Sequence, residues 1–179
     1  MIIGNVNSIT YKEIFSLIKE NKIWLGYNSP TDFKQPDGSV KKQMSGLTRW
    51  FTNLDIPSRH GFIHSGRSYA RTPEKYPKYD NYDAINVDKT NEIPDDYDGV
   101  MGVPITFMDK YSPDQFEIIG LGIANLGLSI GVHPYKPEHK QYRKEIQKRG
   151  AVDGDLYMLD ENGNPVVPYA RVLIRRKQG

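Results

Sequence analysis

The first 27 residues constrain the fold most strongly. MIIGN is a short β-type run. SITYKEIFSLIKENK places Ile9, Ile14, Phe15, Leu17 and Ile18 roughly at helical spacing, with Ser8 or Thr10 available as N-cap, and IWLGYN reads as a second buried strand. Strand, helix and strand in so short a span predict a βαβ unit, a crossover that builds a parallel sheet. The expected fold class is therefore α/β.

Further elements follow from local chemistry. Residues 28–46 are polar and rich in turn formers, with Pro36-Asp37-Gly38 as the turn signal. In LTRWFTNLD, Thr48, Trp50 and Thr52 alternate with Arg49, Phe51 and Asn53, a strand pattern. Residues 56–79 show little regular structure, with Pro57, Pro73, Pro77, Gly61 and Gly66; a loop this long in a compact domain is functional or mobile. Strands are expected at DAINV, VPITF and FEIIGLG, and a basic helix or loop over 136–149. The tail from Gly154 onward predicts a hairpin about Asn162-Gly163.

The chain has 179 residues, enough to bury a core, with 37% hydrophobic and 26% charged residues, so wholesale disorder is not expected. It contains no cysteine, which excludes disulfides and thiolate metal sites and fits a reducing cytoplasm. No charged n-region precedes an apolar run at the start, so no secretory signal is read. The most apolar tract, IIGLGIANLGLSIGV, is shorter than the roughly 20 residues that span a bilayer and is rich in glycine; it reads as buried strand and turn. The net charge of +2 says little, but its distribution says more. Over 34–78 nine cations face only Asp37, Asp55 and Glu74; the next forty or so residues reverse the sign, and KPEHKQYRKEIQKR and RVLIRRK turn basic again. A basic lobe of this kind attracts polyanions whatever the total.

Several motifs bear on chemistry. DDYDG does not fit a calcium loop, because the first and last ligand positions fall on Pro94 and Ile105, and solvated turn residues are expected instead. GLGIANLG resembles a dinucleotide loop, but Asn125 stands where the third glycine is due and no clear helix is read after it; a tight structural turn is expected. His60 and His64 are four apart, yet Gly61 and the flanking loop argue against a shared helix face, and no metal site is expected. No nucleophile elbow or Walker loop occurs, and a hydrolase built on the clustered aspartates has no positive motif. The basic loop differs. Arg59, His60, Arg67 and Arg71 lie among Ser58, Ser65, Ser68, Tyr69 and several glycines, a mixture suited to phosphate contact.

IIGNVNSITYKEIFSLIKENKIWLGYN, TRWFTNLD, KYDNYDAINV and IPDDYDGVMGVPITFMDKYSPDQFEIIG together resemble the EcoRI-type adenine-specific DNA methyltransferases from residue 2 to about 120, and RGAVDGDLYMLDENGNPVVPYARVLIRRK is similar to the close of such enzymes. The resemblance implies N6 methylation of adenine from S-adenosylmethionine. It also implies a catalytic Asn/Asp-Pro-Pro-Phe/Tyr tetrapeptide and a glycine-containing cofactor loop, neither of which is in this sequence. The chain accordingly resembles the C-terminal portion of a restriction–modification enzyme. On that resemblance it contributes DNA binding and target recognition, is inactive alone, binds no cofactor itself, and has double-stranded DNA and the missing N-terminal methyltransferase half as partners. No membrane partner is expected, and the location is cytoplasmic. The alternative is a non-enzymatic DNA- or protein-binding domain.

On the resemblance, the fold is a partial Rossmann-like methyltransferase sheet, with IIGN and IWLGYN as adjoining parallel strands and TRWFTNLD as an antiparallel strand closing the edge. A mixed β-rich C-terminal region follows. Residues 1–55 form the second half of the sheet, 56–79 a basic DNA-facing loop, and 80–179 the C-terminal region with its hairpin, packed as one domain with 1–55. Ligands lie beyond the carboxyl ends of such strands, which puts Asn5 and Asn7 near the target base. Arg49, Arg59, His60, Arg67, Arg71 and Lys75 are the candidates for DNA contact, followed by Arg175 and Arg176; no residue is assigned to catalysis, cofactor or metal. The acidic, tyrosine-dotted tract is expected to sit away from the phosphates.

Overall fold

A computed structural model describes residues 2–42 and 48–177; the parts of the turn-rich stretch and of LTRWFTNLD that fall on 43–47 lie outside the described residues. The chain is mixed α/β and divides into two compact units, Met1–Gly61 with Met108–Asp114, and Phe62–Phe107 with Gln115–Gly179. The boundary cuts the basic stretch 56–79, leaving 56–61 with the first unit and 62–79 with the second.

In the first unit, β1 (Ile2–Asn5) leads through a 3-10 turn (Val6–Thr10) into α1 (Lys12–Lys19) and then β2 (Trp24–Leu25). Phe15 and Ile18 of the helix are buried with Ile9, Leu25 and Phe51. Ser8 and Thr10 do not cap α1; their hydroxyls donate to the Asn5 and Asn7 carbonyls inside the 3-10 turn. The polar stretch forms a hairpin of β3 (Asp32–Lys34) and β4 (Val40–Lys42), closed by Gly38 at φ 84° and by Asp37, whose carboxylate accepts from the Ser39 amide at 2.9 Å.

β5 (Thr48–Thr52) corrects the expected topology. It is antiparallel, as read, but it lies between β1 and β2, pairing Ile2–Asn5 on one side and Trp24–Leu25 on the other. β1 and β2 run parallel without being neighbours, so the start is not an adjoining βαβ pair. Two glycines make the insertion fit. A Cβ on Gly4 would stand 3.0 Å from the Phe51 ring, and one on Gly26 would stand 2.9 Å from Trp50 Cβ, so the bulky residues of β5 lie against a glycine on each flank.

The second unit is built on a mixed four-stranded sheet ordered β6-β7-β11-β8: β6 (Ile85–Asn86), β7 (Met101–Pro104), β8 (Phe116–Leu121) and β11 (Arg171–Arg176). β6 and β7 are parallel and the other pairs antiparallel. β11 ends the chain yet is central, and its Val172, Leu173 and Ile174 are wholly buried. Between β8 and β11 come α2 (Ala124–Ser129), α3 (Pro137–Glu145) and a small hairpin of β9 (Met158–Leu159) and β10 (Pro165–Val166). Its turn is the one expected: Gly163 has φ 78°, and Asp160 accepts from the Asn162 and Asn164 amides at 2.9 and 2.8 Å. A helix does follow the glycine-rich turn, contrary to expectation, but it has only six residues.

Candidate nucleic-acid interface

The six cations expected to face DNA divide by unit. In the first unit all three are engaged. Arg49 pairs with Asp109 at 2.9 Å and hydrogen-bonds the Ser29 hydroxyl. Burial pushes the Asp109 carboxyl up, against the pull of Arg49. Arg59 is only 5% exposed, its guanidinium 3.5 Å from the Trp24 ring centroid and hydrogen-bonded to Asn21. The stacking and the hydrogen bond turn the guanidinium inward, away from solvent. His60 lies between Asp55 (2.9 Å) and Asp114 (3.0 Å), and hydrogen bonds to Asp114 first and Asp55 second raise its pKa above the usual histidine value.

The raised value has a pH consequence. A histidine whose folded pKa exceeds its unfolded pKa of about 6.5 stabilises fully below that pH and loses its contribution as pH rises through the folded value. Wild type should therefore be more stable than His60→Gln in acid, with the gap closing through and above neutrality. Urea midpoints of the two proteins across this range measure it, and a pH-independent gap would count against the His60 clip.

In the second unit the picture reverses. Arg67, Arg71 and Lys75 form no ion pair with any described carboxylate, and they line an open cleft of about 520 Å³ together with Ser68, Thr72 and Tyr76. Two acids also line it, Asp88 and Glu92, and each has another cation beside it, Arg171 at 3.7 Å and Lys89 at 3.5 Å. The backbone beneath the cations is held by the acidic tract. Asp95 accepts from the Ser65 and Gly66 amides at 3.3 and 2.8 Å, and its own amide donates to the Arg67 carbonyl at 2.9 Å. Asp96 accepts from the Ser68 hydroxyl and from the Tyr69 and Ala70 amides at 2.6 and 3.3 Å; the Ser68 bond, first among these, depresses its pKa. Tyr69 packs between Tyr76 and Tyr97, at ring separations of 5.9 and 4.6 Å.

The acidic tract is thus not segregated from the basic loop, as the sequence suggested, but underlies it. Asp95 and Asp96 are exposed turn residues, as expected, and they also accept from loop amides, while the loop's own cations have no described carboxylate partner. Arg175 and Arg176 belong to the support: Arg175 pairs with Glu117 across the sheet at 2.5 Å, and Arg176 donates to the Pro94 carbonyl at 2.9 Å and to Asp95 at 3.1 Å. Arg171, unremarked in the sequence, is a buried structural cation that donates to Asn86 at 3.0 Å. Asn5 caps the 3-10 turn by accepting from the Asn7 amide at 2.8 Å, and both residues are exposed at the carboxyl end of β1. Among the described residues there is no cluster able to hold a metal ion and no helix long and apolar enough to cross a membrane.

Arg67 and Arg71 thus stand without a described carboxylate partner on a loop whose backbone amides are held by Asp95 and Asp96. Family comparison gives the class: residues 1–177 match the description Adenine-specific methyltransferase EcoRI, and the chain belongs to that family. It is 49% identical over 154 residues to the type II methyltransferase M.EcoRI of Escherichia coli, covering 75% of this chain and 47% of the relative. It is 34% identical over 137 residues to M.MgeORF184P of Mycoplasma genitalium and likewise to M.MpnI of Mycoplasma pneumoniae, covering 66% of this chain and 43% of each. The chain spans about half the length of these curated relatives. No solved structure matches it.

Proposed function

We propose that the chain forms the C-terminal portion of a restriction–modification DNA adenine-N6 methyltransferase, where it supplies grip on double-stranded DNA and part of target recognition. The observation that carries this is the trio of unpaired cations, Arg67, Arg71 and Lys75, on a loop whose backbone is fixed from behind. Arg forks and hydroxyls on a preorganised backbone bind phosphate oxygens without ordering cost at the moment of contact. Arg49, Arg59 and His60 act in this reading as supports of the first unit.

The free edge of β1 supports a neighbouring half. Among the described residues β1 pairs only with β5, and its Ile2 and Ile3, on opposite faces, are 71% and 40% exposed. A strand with one free edge and apolar residues on both faces invites a further strand and its covering layer. Asn5 and Asn7 then stand near the target base, at the carboxyl end of β1. The methyl donor, S-adenosylmethionine, belongs to the whole enzyme. The one glycine-rich turn here does not fit it, because Cβ atoms on Gly120, Gly122 and Gly127 would meet Ile130, Leu156 and Gly154 within 2.6 Å, so the turn is filled by packing. Lacking the tetrapeptide that would hold adenine in line with the donor, the chain alone transfers no methyl group. Acting on cellular DNA, the enzyme works in the cytoplasm.

Replacing Arg67, Arg71 and Lys75 together by alanine should weaken binding to mixed-sequence duplex DNA and lower the slope of log K against log salt by about 2–3, at about 0.9 per phosphate contact. Fluorescence anisotropy over a salt series measures it. A slope equal to wild type's removes the loop from the interface.

A further inference from the structure

We infer that the C-terminal end of α3 and the turn after it form a second, separate contact for a nucleic-acid phosphate backbone, made by Lys144, Lys148 and Arg149. This rests on the DNA-binding reading above but on different residues.

His139 is buried and Tyr142 and Arg143 are half-buried, so one face of the helix is turned inward, while Lys140, Lys144, Lys148 and Arg149 are exposed around an open cleft of about 490 Å³. Lys140 has a partner, Asp153 at 2.8 Å; Lys144, Lys148 and Arg149 form no ion pair with a described carboxylate. For Lys144 the helix supplies none: one turn back are Lys140 and Gln141, and one turn ahead are Gln147 and Lys148. Glu145, three residues before Lys148 and four before Arg149, accepts instead from the Gln141 side-chain amide at 3.2 Å. Like charges at this spacing repel and destabilise a helix. Cations at a helix C-terminus do complement its dipole, which is the ordinary explanation for one or two of them.

The backbone argues for more than that. Lys148 has φ 52°, the left-handed conformation in which a helix-ending residue is usually glycine. A lysine in this conformation carries strain that glycine would avoid, as Asn21 and Ala124 also do at φ 59° and 45°. The turn is also held rigidly from behind. The Arg149 amide donates to the Arg143 carbonyl at 3.0 Å, the Arg143 guanidinium donates to Gln147 at 2.8 Å and to the Gly150 carbonyl at 3.1 Å, and Gln147 donates to the Pro165 carbonyl of the hairpin at 3.0 Å. One arginine serves the turn internally so that the other cations face out on a fixed base. The loop at 65–75 is built on the same plan, with aspartates in the supporting role. Two rigid sites of unpaired cations in one unit suit a ligand with repeated, regularly spaced negative charge.

Two variants of the full chain test this by anisotropy with mixed-sequence duplex DNA over a salt series. Lys144→Ala/Lys148→Gly/Arg149→Ala should weaken binding and lower the salt slope by about 2–3, additively with the Arg67/Arg71/Lys75 variant. Lys148→Gly alone should raise the melting temperature while weakening DNA binding, a pairing that a purely structural lysine would not produce. If the loop variant lowers the slope and the α3 variant does not, the second contact is overturned and the DNA-binding reading stands. If neither lowers it, or wild type fails to bind at low salt, both are overturned.

Discussion

Asp95→Ala/Asp96→Ala is expected to weaken DNA binding about as much as losing the three loop cations, although it removes no positive charge. It takes the formal net charge from +2 to +4 by deleting two carboxylates, and long-range electrostatics alone would then strengthen binding to a polyanion. The opposite result isolates position from charge. The two carboxylates accept from four backbone amides and one hydroxyl of the loop, and among the described residues those donors have no second acceptor once the carboxylates are gone. The Gly66 and Tyr69 amides should exchange with solvent at least about tenfold faster, charge-assisted hydrogen bonds being the stronger class. Acid should mimic the substitution. Asp96 has a folded pKa below its unfolded value, so its contribution is complete above about pH 4 and is lost as pH falls through the folded value. Tighter DNA binding by the double variant, with amide exchange unchanged, would show that the aspartates merely oppose the cations.

How much of this site was legible depends on distance along the chain. The sign of the charge on 34–78 was plain, and Arg67, Arg71 and Lys75 stand out in the sequence as cations in a loop of small hydroxyl residues. Whether a given cation is neutralised was not legible. The partner of Arg49 lies 60 residues on and the second partner of His60 lies 54 residues on, separations at which no local pattern announces a pair. Arg59 was lost to a ring, Trp24, that sequence reasoning had placed in a strand interior. The clamping aspartates carried a usable signal. Ser65, Gly66, Arg67 and Ser68 offer consecutive amides in a segment with no ladder to receive them, and buried or half-buried amides need acceptors from somewhere. The nearest supply of acceptors was the acidic tract.

The fold was legible where periodicity was strong. α1, the β5 alternation, β8 and the Asn162-Gly163 turn all lie where residue pattern put them. Strand order was not, because apolar periodicity reports which faces are buried and not which edges meet. The glycines of IIGN and IWLGYN held the missing clue: each is the neighbour that a bulky β5 residue requires, one on either side. Likewise RVLIRR reads as the outgoing arm of a tail hairpin, yet it crosses into the sheet centre between β7 and β8 because an uninterrupted apolar Val172-Leu173-Ile174 must be covered on both faces.

Gly127→Ala is expected to destabilise the second unit by about 3 kcal/mol or more, beyond the usual range for overpacking, because the new methyl meets backbone and not a movable side chain. Its Cβ would stand 1.9 Å from the Gly154 carbonyl oxygen, and a Cβ on Gly154 would reciprocally stand 1.8 Å from the Ala124 carbonyl oxygen. The two segments touch main chain to main chain, so relief requires moving the turn at 152–155 off α2. That movement breaks the bond from the Ala124 amide to Asp155 (2.9 Å) and pulls on Leu156 and Tyr157, both buried. Two other glycines calibrate the effect. Gly150 has open space and no left-handed angle, so its alanine variant should be close to neutral; Gly131 has open space but φ 91°, so alanine there should cost about 1 kcal/mol in strain alone. Urea midpoints of the three variants would order as Gly150, Gly131, Gly127 from mildest to most severe. A Gly127→Ala protein as stable as Gly131→Ala would mean that the GLGIANLG glycines are not there to let two backbones meet, and would reopen the turn as a place where something other than protein sits.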